Sequence, residues 1–107
     1  MKNRQLYQIH ANICQSLTHA TRLEIVDRLR DGEKSVARLA QELSIPQGTV
    51  SRHLGVMRST GVVLPRREGS NVYYRLGSSK IIAAYDLMHQ FSTEFFSTKV
   101  RLISAEG

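Results

Sequence analysis

The stretch from Ser35 to Leu76 constrains the fold of this chain more than any other. Ser35 is a good N-cap for a short helix, Val36 to Glu42, which would bury Val36, Leu39 and Ala40 and stop near Leu43-Ser44. A second helix opens at Pro46, whose missing N–H does no harm at a cap or in a first turn, and runs to Ser59 or Thr60. Gln47, Gly48, Thr49, Ser51 and Arg52 occupy its outward-facing first turns, while Val50, Leu54 and Met57 can pack inward. Gly61 closes it. Val62-Val63-Leu64 then starts a strand that Pro65 confines to an edge, and Glu68-Gly69-Ser70-Asn71 has the composition of a turn. The return segment, Val72 to Leu76, alternates Val72, Tyr74 and Leu76 with Tyr73 and Arg75. Only small or hydrogen-bonding side chains let the start of a helix approach base edges in a major groove. The layout is therefore that of a helix-turn-helix followed by a basic two-stranded wing.

The flanking segments are helical. Leu6, Ile9 or His10, Ile13 and Leu17 recur at helical spacing over Asn3 to Leu17. Thr18 and His19 mark a break, and Ala20 to Arg30 follows with Leu23, Ile25 or Val26, and Leu29 directed inward before Asp31-Gly32 ends it. Ser78 or Ser79 caps a last helix from Lys80 to about Ile103, whose apolar surface is broad. The expected fold is mainly α with a small β-hairpin (α+β), in the order α-α-α-α-β-β-α. It forms one domain over residues 1–107, with the reading helix about 46–59, the wing about 62–76 and terminal helices about 3–17 and 80–103. A final helix behind a two-stranded wing has few core contacts of its own to make. Leu6, Ile9, Ile13, Tyr85, Met88, Phe91, Phe95 and Phe96 therefore suggest a homodimer packed through first and last helices; the alternative is that both helices cap a single core. The dimer is favoured because palindromic sites are read by paired modules one helical turn apart, about 34–36 Å.

Charge supports the same reading. The chain carries a net charge of +6, and Pro46 to Arg75 holds Arg52, Arg58, Arg66, Arg67 and Arg75 against Glu68 alone. A solvated basic surface would look similar, but here the charge coincides with the helix-turn-helix pattern, as expected where phosphate counterions are released. The single cysteine, Cys14, rules out an intrachain disulfide framework and fits a reducing compartment. No segment resembles a signal peptide or approaches the roughly 20 apolar residues that span a bilayer, so a cytoplasmic protein without a membrane partner is expected. Gly-rich phosphate loops and His-Glu-x-x-His are absent, which argues against an enzyme. Three binding classes remain: a DNA-binding repressor, an architectural DNA-binding protein and a helical protein–protein adaptor. Salt-dependent binding to duplex DNA separates the last from the first two.

Several motifs together resemble the ArsR/SmtB family of repressors: Thr21-Arg22-Leu23-Glu24-Ile25-Val26, Val36-Ala37-Arg38-Leu39-Ala40, Thr49-Val50-Ser51-Arg52-His53-Leu54 through Gly61-Val62-Val63, Arg66-Arg67-Glu68-Gly69, and Val72-Tyr73-Tyr74-Arg75-Leu76. The resemblance covers residues 12–76 in detail. It implies a homodimeric winged helix-turn-helix protein that represses an operon, often its own, and dissociates when an inducer or oxidant is sensed. The family usually has an acidic residue and a proline where His19 and Ala20 stand, so the cap of the second helix is expected to pass to Thr18. It usually has a serine cap where Pro46 stands.

The expected DNA contacts sort by chemistry. Gln47, Gly48, Thr49, Ser51 and Arg52 are placed to read bases, Gln47 suiting adenine and Arg52 guanine. Ser35, His53, Arg66, Arg67, Gly69, Ser70 and Asn71 are assigned to the backbone or minor groove. His53 is balanced between a phosphate donor and a histidine packed against the wing, Arg22 is read as structural, and Tyr73 and Tyr74 as wing packing. No cofactor is expected. The third helix lacks the Cys-x-Cys pair of the family's arsenic and cadmium sensors. Asp86, His89 and Glu94 do not reproduce the spacing of its zinc site between last helices. An alternative metal set is His10 and Cys14 on the first helix with His89 on the last helix of either subunit, against a reading of Cys14 as a small packing residue. Oxidation of Cys14 is a second alternative, and an organic effector at the helical interface a third.

Overall fold

The computed structural model describes residues 3–106, the last of these by its backbone alone. Its elements are α1 (Asn3–Gln15), α2 (Ala20–Arg28), β1 (Lys34–Ser35), α3 (Val36–Leu43), α4 (Gln47–Ser59), β2 (Val63–Glu68), β3 (Asn71–Leu76) and α5 (Ser79–Glu106). The expected order lacked β1. Lys34 and Ser35 pair antiparallel with Tyr74 and Tyr73, giving a three-stranded sheet in the order β1-β3-β2. Two residues are too few to show an alternating pattern, and their partners are distant in sequence. β2 lies at the edge, where the missing N–H of Pro65 is harmless.

The core is built from one face of each central helix and the root of the wing: Ile25, Val26, Leu29, Leu39, Ala40, Val50, Leu54, Met57, Val62, Val63 and Tyr74. Val50, Leu54 and Met57 recur at helical spacing and are wholly buried, so α4 is anchored by the face opposite its polar first turns. Leu23 departs from expectation: it is 41% exposed, because Ile25, Val26 and Leu29 form the inward stripe of α2.

Local chemistry sets the element ends. The Ser35 Oγ accepts from the Arg38 N–H at 3.0 Å, as expected for the N-cap of α3. Ser44 takes a left-handed conformation, φ 57°, and makes the sharp turn between α3 and α4. The cap of α2 is His19 and not Thr18: its Nδ1 accepts from the Thr21 N–H at 3.2 Å. The Thr18 hydroxyl instead donates back to the Gln15 carbonyl at 2.7 Å, at the end of α1. Ser78 caps α5, its Oγ accepting from the Lys80 N–H. Behind α4, Gly61 has φ +80°, and its carbonyl would lie 2.1 Å from any Cβ added at Gly77. The Gly77 N–H donates to the Val62 carbonyl at 2.9 Å, so the entry and exit of the wing are pressed together there.

The terminal helices leave the core. The radius of gyration is 16.4 Å, against about 13 Å for a compact domain of this length. Ile81, Ile82 and Tyr85 dock the start of α5, and Ile13 the end of α1. Beyond them Leu6, Ile9, Met88, Phe91, Phe95 and Phe96 are all about half exposed or more.

Candidate nucleic-acid interface

The exposed start of α4 is the centre of the candidate site. Gln47, Gly48, Ser51 and Arg52 are exposed and Thr49 is half-buried, its Oγ1 accepting from Arg52 Nη2 at 3.3 Å. Pro46 enters extended and supplies no side-chain cap. Among the described residues, Arg52 and Arg58 have no carboxylate partner, so the outer face of α4 is positively charged.

His53 is half-buried and engaged by side chains of another helix. It lies nearly two turns into α4 and faces the start of α2, where Arg22 Nε donates to His53 Nδ1 at 3.1 Å. Arg22 Nη1 also reaches the Ser16 carbonyl at 3.4 Å, so this half-buried arginine ties the end of α1 to α4, the structural role read from the sequence. The His19 ring stands 4.4 Å from the His53 ring, centroid to centroid. Burial, with Arg22, Arg52 and His19 around it, pushes the His53 imidazole below its ordinary pKa.

On the wing, the structure separates two arginines that the sequence had treated alike. Arg66 donates from Nε to both carboxylate oxygens of Glu33 at 3.1 Å and from Nη1 to Glu68 at 2.7 Å, and lies 4.8 Å over the Tyr73 ring. These contacts hold the Glu33 carboxyl below the usual carboxylate range. Arg67 and Arg75 are exposed and have no carboxylate within salt-bridge distance among the described residues. At the tip, Gly69 has φ +61° and Ser70 and Asn71 are exposed. Ser35 borders the wing through its pairing with Tyr73, but its hydroxyl is engaged in capping α3. The Glu42 carboxylate gathers Lys34 at 2.8 Å and Arg38 at 2.9 Å, fixing the back of α3 and lowering its own pKa.

The alternative metal set is not assembled within the chain. His10, Cys14 and His89 are exposed, and His89 stacks on Tyr85 at 5.3 Å. Cys14 is not the small packing residue its type suggests. Asp86 is held by Arg30, which donates to it at 2.8 and 3.1 Å. Among the described residues no group of three His, Cys, Asp or Glu side chains is placed to hold a metal ion. None of the described helices is long and apolar enough to cross a membrane. Sequence reasoning missed the Arg66–Glu33 pair and the His19–Arg22–His53 cluster. The acid or imidazole that completes each lies on another element, and only the unusual histidine at the α2 cap hinted at the second.

Residues 17–66 match the family model of a helix-turn-helix domain. The chain is 43% identical over 70 residues to the biofilm growth-associated repressor of Xylella fastidiosa; the match takes in 65% of this chain and 61% of that protein, so it spans less than two thirds of that relative's length. It is 33% identical over 78 residues to the transcriptional activator HlyU of Vibrio cholerae, covering 73% of this chain and 72% of that protein. Among solved structures, it resembles the homodimeric winged helix-turn-helix DNA-binding domain of a possible ArsR-family transcriptional regulator from Mycobacterium bovis. The TM-score is 0.79 at 29% identity, covering 87% of this chain and 86% of that one. These relatives are transcriptional regulators and not enzymes.

Proposed function

This chain belongs to the winged helix-turn-helix transcriptional regulators, and on that premise we propose that it is a homodimeric repressor of the ArsR/SmtB type that binds an inverted repeat in duplex DNA. The observation that carries the reading is the polar, carboxylate-free outer face of α4, held in place by Val50, Leu54 and Met57. In the complex, the first turns of α4 enter the major groove, where Gln47 and Arg52 offer bidentate hydrogen bonds to base edges and Gly48, Thr49 and Ser51 allow close approach. His53 and the wing (Arg67, Gly69, Ser70 and Asn71) position the module on the backbone or in the minor groove. The start of α3 at Ser35 offers backbone N–H groups to a phosphate. Arg66 belongs to this set through the shape of the wing it braces.

Pairing of two copies follows from the uncovered apolar sides of α1 and α5. Leu6, Ile9, Met88, Phe91, Phe95 and Phe96 stay about half exposed or more in one chain, and a two-fold arrangement would bury them while presenting two reading helices to a palindrome. The solved structure from Mycobacterium bovis is itself homodimeric, which supports this arrangement. No cofactor is part of the reading.

Footprinting and salt-titrated binding on the DNA upstream of the protein's own gene test the proposal. Protection of an inverted repeat, with Gln47→Ala and Arg52→Ala relaxing discrimination by about 1–3 kcal/mol, is expected. Equal affinity for that region and for random duplex would replace repression by an architectural role, and salt-independent binding would point to an adaptor.

A further inference from the structure

Between the start of α2 and the first turns of α4 lies an open cleft lined by His19, Thr21, Arg22, Ile45, Thr49, Arg52, His53 and Val56. Its ionisable groups are all basic or neutral: none of the lining residues is an acid. The half-buried Arg22 guanidinium donates to an imidazole and a backbone carbonyl, and has no carboxylate partner among the described residues.

The two histidines are more specific still. The Nδ1 of His19 is occupied as an acceptor by the Thr21 N–H, and the Nδ1 of His53 by Arg22 Nε–H. A neutral imidazole that accepts at Nδ1 carries its proton at Nε2. In that neutral form both rings present an Nε2–H donor that has no hydrogen-bond partner among the described residues. The ring centroids lie 4.4 Å apart with the planes tilted by 53°, and Arg22 holds the His53 ring from its Nδ1 side.

We propose that His19, His53 and Arg22 form a seat for a phosphate oxyanion, and that its occupant is a backbone phosphodiester beside the major groove entered by α4. The assignment rests on the DNA-binding reading above. Its new content is His19: a side chain that caps α2 with one nitrogen and binds the backbone with the other, coupling the placement of α2 to that of the reading helix. The fixed donors make this a positioning contact, the same for every sequence.

Asparagine separates the two roles, since its side-chain oxygen can accept where Nδ1 does and it has no donor at the reach of Nε2. His19→Asn keeps a strong N-cap, and His53→Asn keeps an acceptor for Arg22. Binding of a fluorescent random-sequence duplex at low salt is expected to weaken about tenfold for each substitution, the loss of a hydrogen bond to a charged group, with melting temperature unchanged for His19→Asn. In the wild-type protein, ¹⁵N signals of both Nε2 atoms should shift on adding duplex. Tight wild-type binding that His19→Asn leaves unaltered overturns the seat while leaving the DNA reading intact. Failure of the wild-type protein to bind duplex overturns the DNA reading and the seat with it. Nε2 signals that respond to inorganic phosphate but not to duplex would overturn the backbone assignment in favour of a free anion.

Discussion

The two neighbouring arginines of the wing give the sharpest test of the proposed DNA complex. Arg67 is exposed with no acidic partner among the described residues, whereas Arg66 already satisfies Glu33 and Glu68 and rests on Tyr73. A phosphate competing for Arg66 must displace two carboxylates; one approaching Arg67 meets only water. Each phosphate neutralised contributes about 0.9 to the slope of log affinity against log salt, so losing Arg67 from both wings of a dimer flattens it by about 1.8. Between about 50 and 200 mM salt, a fourfold change, the advantage of wild type over Arg67→Gln should therefore shrink about twelvefold. Arg66→Gln should leave the slope nearly unchanged, and lower affinity only as far as the wing loses its brace. Fluorescence anisotropy with one duplex across that salt range measures all three proteins. Equal slopes for wild type and Arg67→Gln, or a flattening by Arg66→Gln as large as that by Arg67→Gln, would refute this division of roles.

Other outcomes are expected from the same structure. Leu54→Ala removes a wholly buried side chain behind the reading helix and should cost about 2–5 kcal/mol in urea unfolding; a loss under half a kilocalorie would mean that α4 is not anchored there. Gly77→Ala puts a methyl against the Gly61 carbonyl and should lower the melting temperature, because backbone has to move; an unchanged melting curve would contradict the close approach. Phe91→Glu with Phe95→Glu should leave a 12.1 kDa monomer in ultracentrifugation, and a persistent dimer would place the interface elsewhere. His53 is a base whose folded pKa is depressed, so its contribution to stability is complete above its ordinary pKa and is lost as pH falls through the lower, folded value. Urea midpoints should drop as pH is lowered from about 7 into the imidazole range, and His53→Asn should remove that part of the drop; identical pH profiles would rule it out.

Much of the molecule was legible because helical and strand periods are properties of a local stretch of chain. Val50, Leu54 and Met57 mark the inner face of α4 by spacing alone, and the polar residues between them mark the outer one. Ser35 before Val36 starts α3, and Gly61 before the wing closes α4, by local backbone chemistry. The excess of apolar residues in α5 was visible too. That they stay uncovered within one chain was not, since burial depends on where the other elements run.

Tertiary structure alone decided which polar groups meet. Lys34 and Ser35 become a strand only because β3 lies beside them. Arg66 and Arg67 are chemically identical in the sequence, yet Glu33 engages one and leaves the other to solvent. His19 was read as part of a break between helices, but the fold makes it the cap of α2 and sets its ring beside that of His53, whose Nδ1 accepts from Arg22. The physical reason is range: backbone propensity and periodicity act over a few residues, whereas a salt bridge or a hydrogen bond is decided by distance in space. No pattern in the chain encodes that distance until the core has closed.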